Sequence, residues 1–347
     1  MKTWKSFYLL ALAATLAFTG CKKDDEGASQ AGKLTVGQTE YTLGAVEERT
    51  AAVTFTAPAD WTLTVTYEDA ADWLTVTPAS GTAGEQSVEL SATRNYRTSD
   101  RTAYVDLACG DQQVRLTVSQ AAASGETDFT ALFDPDFAKK LQEMGHISDA
   151  ENITSADMEK IAAITELDVS GTYGNRGTLT SLQGIEYFES LTKLERSYNQ
   201  LESLDVSANT ALTELYCLSN QLTSLDVSAN TALTELWCGY NQLTSLDVSA
   251  NTALTTLWCY YNQLESLDVS ANTALMVLEC DDNQLTSLDV SANTALTFLE
   301  CEDNPGDGVS KFPVTAWFDT KPDNLTVSQT SWSYDGATIT IEFQKAE

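Results

Sequence analysis

The stretch LTSLDVSANTALTELWCGYNQ, residues 222–242, decides the fold, because close copies of it follow one another five times between residues 201 and 304. Within this copy, Leu233, Leu236 and Cys238 are spaced as the inward residues of a short strand, and Asn241 follows them at a bend. One unit of this size cannot bury its own leucines, so neighbouring copies must stack. We therefore predict a solenoid with a parallel sheet, a strand spacing of about 4.8 Å and one continuous core.

The spacing Leu233-x-x-Leu236-x-Cys238-x-x-Asn241-x-Leu243 matches the leucine-rich-repeat motif. Degenerate units before it, between residues 164 and 199, resemble the first repeats of internalin-like bacterial proteins. The resemblance implies a solenoid over residues 164–304. A solenoid needs covered ends, and we expect a helical N-terminal cap at 126–163, with helices near 133–141 and 154–162, and a C-terminal β cap at 305–347.

Two residue types form inward columns in the predicted solenoid. The asparagines that end each strand half are expected to bond backbone groups in the bends: Asn220, Asn241, Asn262, Asn283 and Asn304. The cysteines of the third apolar site are expected to be buried free thiols, because side chains of parallel neighbouring strands do not point at each other as a disulfide requires: Cys217, Cys238, Cys259, Cys280 and Cys301. Arg196 interrupts this column and marks the edge between cap and array.

Residues 33–123 have the pattern of a second, all-β domain. Alternating runs at 34–36, 52–55, 61–65, 73–76, 87–90, 103–107 and 114–118 predict about seven strands of an immunoglobulin-like β-sandwich. We expect Trp61 and Trp73 in its core. The runs WLTVTP at 73–78 and LTVSQ at 116–120 resemble the BACON module of Bacteroidetes surface proteins. That resemblance implies an association with carbohydrate-active systems, although a spacer role is our main expectation. The predicted fold class is mainly β: a sandwich followed by a leucine-rich-repeat solenoid.

The first residues have the pattern of an export signal. Lys2 and Lys5 precede an apolar run at 7–18, and small residues lead to Cys21. This resembles a bacterial lipobox and implies a signal peptide at 1–20 and lipidation of Cys21; an ordinary secretory signal with an incidental cysteine is the alternative. Residues 21–32 are predicted to be a flexible tether. The KKDDE run at 22–26 resembles the lysine-plus-acids tag that sends Bacteroidetes lipoproteins to the outer surface. The alternative is that this run is only a charged, solvated part of the tether. We expect a cell-surface lipoprotein of the outer membrane, held to the membrane only through Cys21.

Composition limits the possible functions. The chain has 50 acidic and 19 basic residues, a formal charge of −31, which argues against nucleic-acid binding. Its one histidine, His146, excludes multi-histidine metal sites and leaves at most one candidate for a Ser-His-Asp triad. We see no enzyme motif and predict a non-enzymatic monomer without cofactors. Residues 201–304 contain fifteen acids and no lysine, arginine or histidine, so the repeats carry much of this charge.

The cysteine half of each repeat varies while the other half is nearly constant, which indicates a variable partner-binding face on a constant scaffold. The predicted partner-binding residues are an aromatic group and an adjoining acidic group: Tyr216, Trp237, Tyr240, Trp258, Tyr260, Tyr261, Glu279, Asp281, Asp282, Glu300, Glu302 and Asp303. The simpler alternative is that these aromatic residues only suit a sheet.

We expect a protein or peptide partner first, as in adhesion. The alternative is a glycan or mucin, for an accessory of polysaccharide uptake, and a structural display protein comes third. Calcium at Asp281, Asp282, Glu302 and Asp303 is a subordinate hypothesis. A separate aspartate column, running from Asp205 to Asp289, is expected to cap turns through backbone N–H groups.

Overall fold

A computed structural model describes residues 32–68, 72–124 and 127–346 of the chain. The predicted signal peptide, nearly all of the tether and the lipidation site at Cys21 lie outside the described residues. Strands dominate this part of the chain, as the sequence predicts. Within it, no helix is both long enough and apolar enough to cross a bilayer.

The N-terminal domain is a β-sandwich of two sheets. Its described strands are β1 (Thr35–Val36), β2 (Glu40–Leu43), β3 (Thr50–Ala57), β4 (Trp61–Tyr67), β5 (Leu74–Thr77), β6 (Ser80–Gly81), β7 (Gly84–Ala92), β8 (Arg101–Cys109) and β9 (Gln112–Gln120). One sheet has the order β1-β3-β7-β5 and the other β2-β9-β8-β4-β6. Trp61 and Trp73 are each 2% exposed, which confirms their core role. The seven expected strands are present; β2 and β6 are additional.

Two short helices follow the sandwich. Helix α1 (Pro135–Glu143) is capped at its N-terminus by Asp134, whose carboxylate accepts hydrogen bonds from the N–H groups of Asp136 and Phe137. Helix α2 (Ser155–Ala162) begins at Thr154, which forms a capping box with Asp157. Phe137, Leu141, Met158 and Ile161 are buried against the first repeats. The expected helical cap is therefore present.

The repeats form one parallel sheet, which confirms the predicted solenoid. Its strands are β10 (Glu166–Asp168), β11 (Lys193–Glu195), β12 (Glu214–Tyr216), β13 (Glu235–Trp237), β14 (Thr256–Trp258), β15 (Val277–Glu279) and β17 (Phe298–Glu300). From β11 to β17, each residue pairs with the residue 21 positions later, so equivalent positions of the repeats stand in columns.

The asparagine ladder fixes the bends as expected. Asn241 is typical: its Nδ2 donates to the carbonyl oxygens of Cys217, Cys238 and Gly239 at 3.0, 3.0 and 3.1 Å, and its Oδ1 accepts from Leu222 N–H at 3.1 Å. A second ladder fixes the other half of each repeat. There Asn230 Nδ2 donates to the carbonyls of Val206 and Asn209, at 3.0 and 2.9 Å. Both ladders join neighbouring repeats, so the coil is held by bonds between repeats as well as by its core.

The five repeat cysteines are free thiols with no exposed surface, as predicted. Burial raises the pKa of each thiol. At Cys259 the nearby carboxyl of Asp281 raises the pKa further. Arg196 occupies the same inward column one repeat before Cys217 and is also fully buried.

Strands at the C-terminal end cover the last repeat. They are β16 (Leu288–Asp289), β18 (Lys311–Ala316), β19 (Thr326–Val327), β20 (Ser331–Tyr334) and β21 (Ala337–Lys345). Strand β19 adds to the repeat sheet beside β17, while the others form a sheet ordered β16-β18-β21-β20. The expected C-terminal β cap is therefore made of strands. Strand β18 contains Pro313, and a proline normally argues against a strand, so the bounds of β18 are not evident from the sequence.

Candidate functional site

The variable face of the repeats is the outer side of the parallel sheet. Strand alternation points the residue between each inward leucine and cysteine outward. The sheet register places these residues side by side in the order Glu195, Tyr216, Trp237, Trp258, Glu279 and Glu300. The aromatic and acidic groups predicted from the sequence are therefore neighbours on one surface.

Three rings form a continuous stack across β12, β13 and β14. The ring centroids of Tyr216 and Trp237 are 4.2 Å apart, and those of Trp237 and Trp258 are 3.9 Å apart with an interplanar angle of 18°. Among the described residues, neither indole N–H has a hydrogen-bond acceptor. Such a stack is wide and rigid, which suits recognition of a flat apolar or cationic group.

Tyr216 corrects the expectation that the whole aromatic column is exposed. It is only 8% exposed, because Trp237 covers one side of its ring and the Lys193 ammonium lies 5.1 Å from its centroid. Its O–H hydrogen-bonds to the carboxylates of Glu214 and Glu235 at 2.7 and 2.8 Å. Burial and these carboxylates raise the pKa of Tyr216. Tyr216 therefore supports the stack from one end rather than offering a free contact surface.

A second aromatic group lies just beyond the strand ends. Tyr240 and Tyr261 stack with centroids 4.3 Å apart and planes 9° apart, and they are 47% and 44% exposed. Tyr260 is half-buried and meets Tyr240 edge-on at 5.4 Å. Tyr240 and Tyr261 have φ values of 52° and 49°, a left-handed conformation that favours glycine or asparagine. The same left-handed conformation recurs at the equivalent position of the other repeats, at Tyr198, Ser219, Asp282 and Asp303, so it belongs to the turn that follows each strand and presents these side chains at its tip.

The acidic group is less exposed than the sequence suggested. Asp281 and Glu302 are 9% and 4% exposed and Glu279 is half-buried, while Asp282, Glu300 and Asp303 remain partly exposed. Asp281 and Glu302 are therefore corrected from surface residues to buried ones. Ser328 and Gln329 hydrogen-bond to the Glu302 carboxylate and cover it, and the carboxyl groups of the last repeat lie beside Asp281. Burial, reinforced by neighbouring carboxylates, raises the pKa of both Glu279 and Asp281 to about 7.

Calcium binding finds no support in this arrangement. Within the described residues, no three or more histidine, cysteine, aspartate or glutamate side chains are placed to hold a metal ion. The acidic group therefore consists of carboxylates that are close enough to influence one another, without a cage for a cation of that size.

The aspartate column behaves as expected and lies apart from this face. Asp226 and Asp247 each accept a hydrogen bond from the backbone N–H two residues later, both at 2.9 Å, and the same turn recurs at Asp205, Asp268 and Asp289. Hydrogen bonds from Ser228 lower the pKa of Asp226, as those from Ser249 do for Asp247. These carboxylates cap turns and are part of the scaffold.

Comparison with known families identifies both modules. Residues 33–123 match the model of the viral BACON domain, and residues 231–272 match that of two leucine-rich repeats. The chain carries a BACON domain and leucine-rich repeats. A search of the curated proteins finds no significant match.

Several solved structures are similar to this BACON and leucine-rich-repeat protein. One is the functional domain of InlJ from Listeria monocytogenes, described as including a cysteine ladder; it is 33% identical, with a TM-score of 0.43, over 58% of this chain and 46% of that one. The internalin InlF from Listeria monocytogenes is 20% identical, with a TM-score of 0.43, over 65% of this chain and 74% of that one. The chain thus spans less than half of the InlJ domain that it matches.

Proposed function

We propose that this protein is a non-enzymatic cell-surface lipoprotein that binds a protein or peptide through the variable face of its leucine-rich repeats. Solenoids of this class present extended binding surfaces. The observation that carries the proposal is the aromatic stack of Tyr216, Trp237 and Trp258 beside the acidic residues Glu279 and Glu300, in one row across five strands. Tryptophan and tyrosine are enriched among the few residues that carry most of the binding energy at protein interfaces.

Surface attachment is part of the same proposal and depends on Cys21. We expect the Cys21 thiol to carry the lipid and the acidic tether to separate the sandwich from the membrane. The Cys21→Ala variant should lose incorporation of radiolabelled palmitate and leave the membrane fraction. If both variant and wild type incorporate no label, the protein is exported without an anchor and this part of the proposal fails.

The binding face is tested with two double variants and a matched control. Trp237→Ala/Trp258→Ala removes the stack, and Tyr240→Ala/Tyr261→Ala removes the exposed pair while leaving the strands unchanged. Ser224→Ala/Ser245→Ala alters two exposed residues of the constant half in the same repeats. Each protein is compared on a glycan array and in a host-protein pull-down, with the affinity for any captured partner then measured by surface plasmon resonance.

We expect both aromatic variants to lose at least about tenfold in affinity for a captured protein, and the serine control to bind like wild type. Equal affinity in all four proteins would reject the aromatic face as the binding site. The alternative function, a glycan- or mucin-binding accessory of polysaccharide uptake, is favoured by one observation: the exposed parallel rings of Tyr240 and Tyr261 offer a flat platform for a sugar ring. Array binding that is lost only in the tyrosine variant would select it.

A further inference from the structure

Four carboxylates gather at one end of the variable face. Glu279 and Glu300 are directly paired on β15 and β17, and Asp281 and Glu302 follow two residues later in the same two repeats. Alternation keeps all four on one side of the sheet. They are near enough that Glu300 and Glu302 raise the pKa of both Glu279 and Asp281. We call these four residues the acidic pocket.

The chain supplies no cation to the acidic pocket within its described residues. Residues 201–304 contain no lysine, arginine or histidine. The lysines that follow are engaged elsewhere: Lys311 pairs with Glu342 at 2.6 Å and Lys345 with Asp319 at 2.9 Å. Lys321 donates to the carbonyl oxygens of Pro322 and Leu325. The charge of the pocket is therefore left for a group from outside the chain.

Glu302 gives an independent sign of a missing donor. It is 4% exposed, and its Oε1 accepts hydrogen bonds from Ser328 Oγ and Gln329 Nε2, both at 3.0 Å. Its Oε2 is buried, and no group in the described part of the chain donates to it. The Ser328 hydroxyl lies 3.0 Å from Glu302 Oε1 and 3.1 Å from Glu300 Oε1, which places the two carboxyl groups side by side. Leaving a buried carboxylate oxygen without a donor is costly, and an entering donor would relieve that cost.

The other end of the same face shows how a cation is held on this sheet. The ammonium of Lys193 lies 5.1 Å from the ring centroid of Tyr216 and pairs with Glu195 at 2.9 Å and with Glu214 at 3.3 Å. One aromatic ring and two carboxylates thus enclose one positive charge. The acidic pocket has the same kinds of groups, an aromatic ring and two carboxylates. Glu279 is paired in the sheet register with Trp258 on one side and with Glu300 on the other. Only the cation is not supplied there.

We propose that the acidic pocket, with Trp258 as its wall, takes up an arginine side chain of the protein partner. The inference rests on the proposed function and names what the face recognises. A guanidinium is planar, stacks on an indole and donates in several directions, so one group can bond to more than one carboxylate of the pocket. A lysine ammonium would satisfy fewer of these acceptors.

The test uses short peptides of known charge on the purified protein. The probe is a peptide with an acetylated N-terminus, an amidated C-terminus and two arginines separated by glycine, and its binding is measured by titration calorimetry at low salt. Two further peptides replace both arginines by lysine or by citrulline, the neutral isostere of arginine. The variant Glu279→Gln/Glu300→Gln removes two pocket charges. Its matched control, Glu202→Gln/Glu265→Gln, removes two exposed charges from the constant half of the same array. Thermal melting of each protein verifies folding.

We expect the arginine peptide to bind, the lysine peptide to bind more weakly and the citrulline peptide not to bind. The pocket variant should lose at least about tenfold in affinity while the control matches wild type. Equal losses in the two variants would mean that only overall charge attracts the peptide, and equal binding of citrulline would exclude a cation site. Displacement of the peptide by millimolar calcium would assign the pocket to a metal instead. If no peptide binds but the tryptophan variant still loses its partner, this inference fails and the proposed function stands.

Discussion

Arg196 is a charged residue in an apolar column. It is fully buried at the position that cysteine occupies in the later repeats, and none of its guanidinium nitrogens has an oxygen or nitrogen acceptor among the described residues. Burial lowers the pKa of Arg196 to about 10, and the neighbouring thiol of Cys217 only partly opposes this effect. A buried charge so poorly paired is expected to reduce the stability of the fold.

Replacing Arg196 with methionine should therefore stabilise the protein. Methionine has a similar length, fills the column and carries no charge to desolvate. We expect the free energy of unfolding to rise by about 1–3 kcal/mol, within the range observed when buried ion groups are replaced by apolar ones. Urea unfolding followed by circular dichroism measures this change. A loss of stability would mean that the guanidinium makes interactions that the geometry does not reveal.

Asn241 tests the ladder with a change of one atom. The Asn241→Asp variant keeps the shape of the side chain but replaces the donor that serves three carbonyl oxygens by an acceptor that repels them. We expect a loss of about 3 kcal/mol or more in the free energy of unfolding. The matched control is Gln242→Glu, the same chemical change at the next, exposed residue. Similar losses in both variants would contradict a structural role for the ladder.

At the scale of elements, each repeat strand carries one thiol into the core. Because the thiolate is the reactive species and burial raises the pKa of these thiols, a water-soluble thiol reagent should react with none of the five repeat cysteines in the native protein. In denaturant all five should react rapidly. Absorbance during labelling with a chromogenic disulfide reagent measures both rates. Fast native labelling would show that the column is open to solvent.

The carboxyl groups that β15 and β17 bring into the acidic pocket should make the free energy of unfolding depend on pH near neutrality. The pKa of Glu279 and Asp281 is about 7 in the folded chain and about 4 when unfolded, so the folded state binds more protons between these values. Stability should therefore rise as the pH falls from about 8 to about 5. Burial also raises the pKa of the neighbouring Glu300 and Asp282, which therefore share the effect, and Glu302 faces the pair as a further carboxyl group.

Thermal melts across this pH range check the expectation. The melting temperature of wild type should increase on acidification, and that of Glu279→Gln/Asp281→Asn should increase less. Below about pH 4 the turn aspartates, whose pKa is lowered by their hydrogen bonds, become protonated, and stability should fall again. Parallel curves for the two proteins would show that other groups cause the dependence.

The elements also show what could be predicted from the sequence. Periodic apolar residues identified the repeat strands, both helices and the main sandwich strands, because burial of one face fixes their spacing. Strand β2 was missed because Glu40–Leu43 is only four residues long, and its parallel pairing with β9 spans the whole domain. In the candidate site, the columns of Trp237, Trp258 and Glu279 were predictable from the repeat. The burial of Tyr216, Asp281 and Glu302 was not, because it depends on how neighbouring side chains pack.

At the scale of the whole molecule, the sandwich is docked on the first repeats of the solenoid rather than merely preceding them. Tyr96 is 7% exposed, packs edge-on against Tyr187 at 5.9 Å and donates a hydrogen bond to Glu189. Arg97 also pairs with Glu189, at 3.3 Å. The sequence predicted a spacer, and these contacts indicate one with a defined attachment to the solenoid.

Tyr96→Ala should weaken that attachment without unfolding either module. We expect the variant to show two resolved transitions in scanning calorimetry, where the wild type shows more closely coupled unfolding, because the main apolar anchor between the modules is lost. Small-angle X-ray scattering should show a larger radius of gyration. An unchanged profile in both experiments would mean that other contacts hold the modules together.

The second asparagine ladder has a consequence for how such a protein can change in length. Asn230 bonds to residues 24 and 21 positions before it, and Asn251 does the same one repeat later. If 21 residues were deleted or duplicated in the middle of the array, every bond would find an equivalent partner at the new junction. The number of repeats is thus free to vary in whole steps, and each step would move the aromatic row nearer to or farther from the membrane anchor.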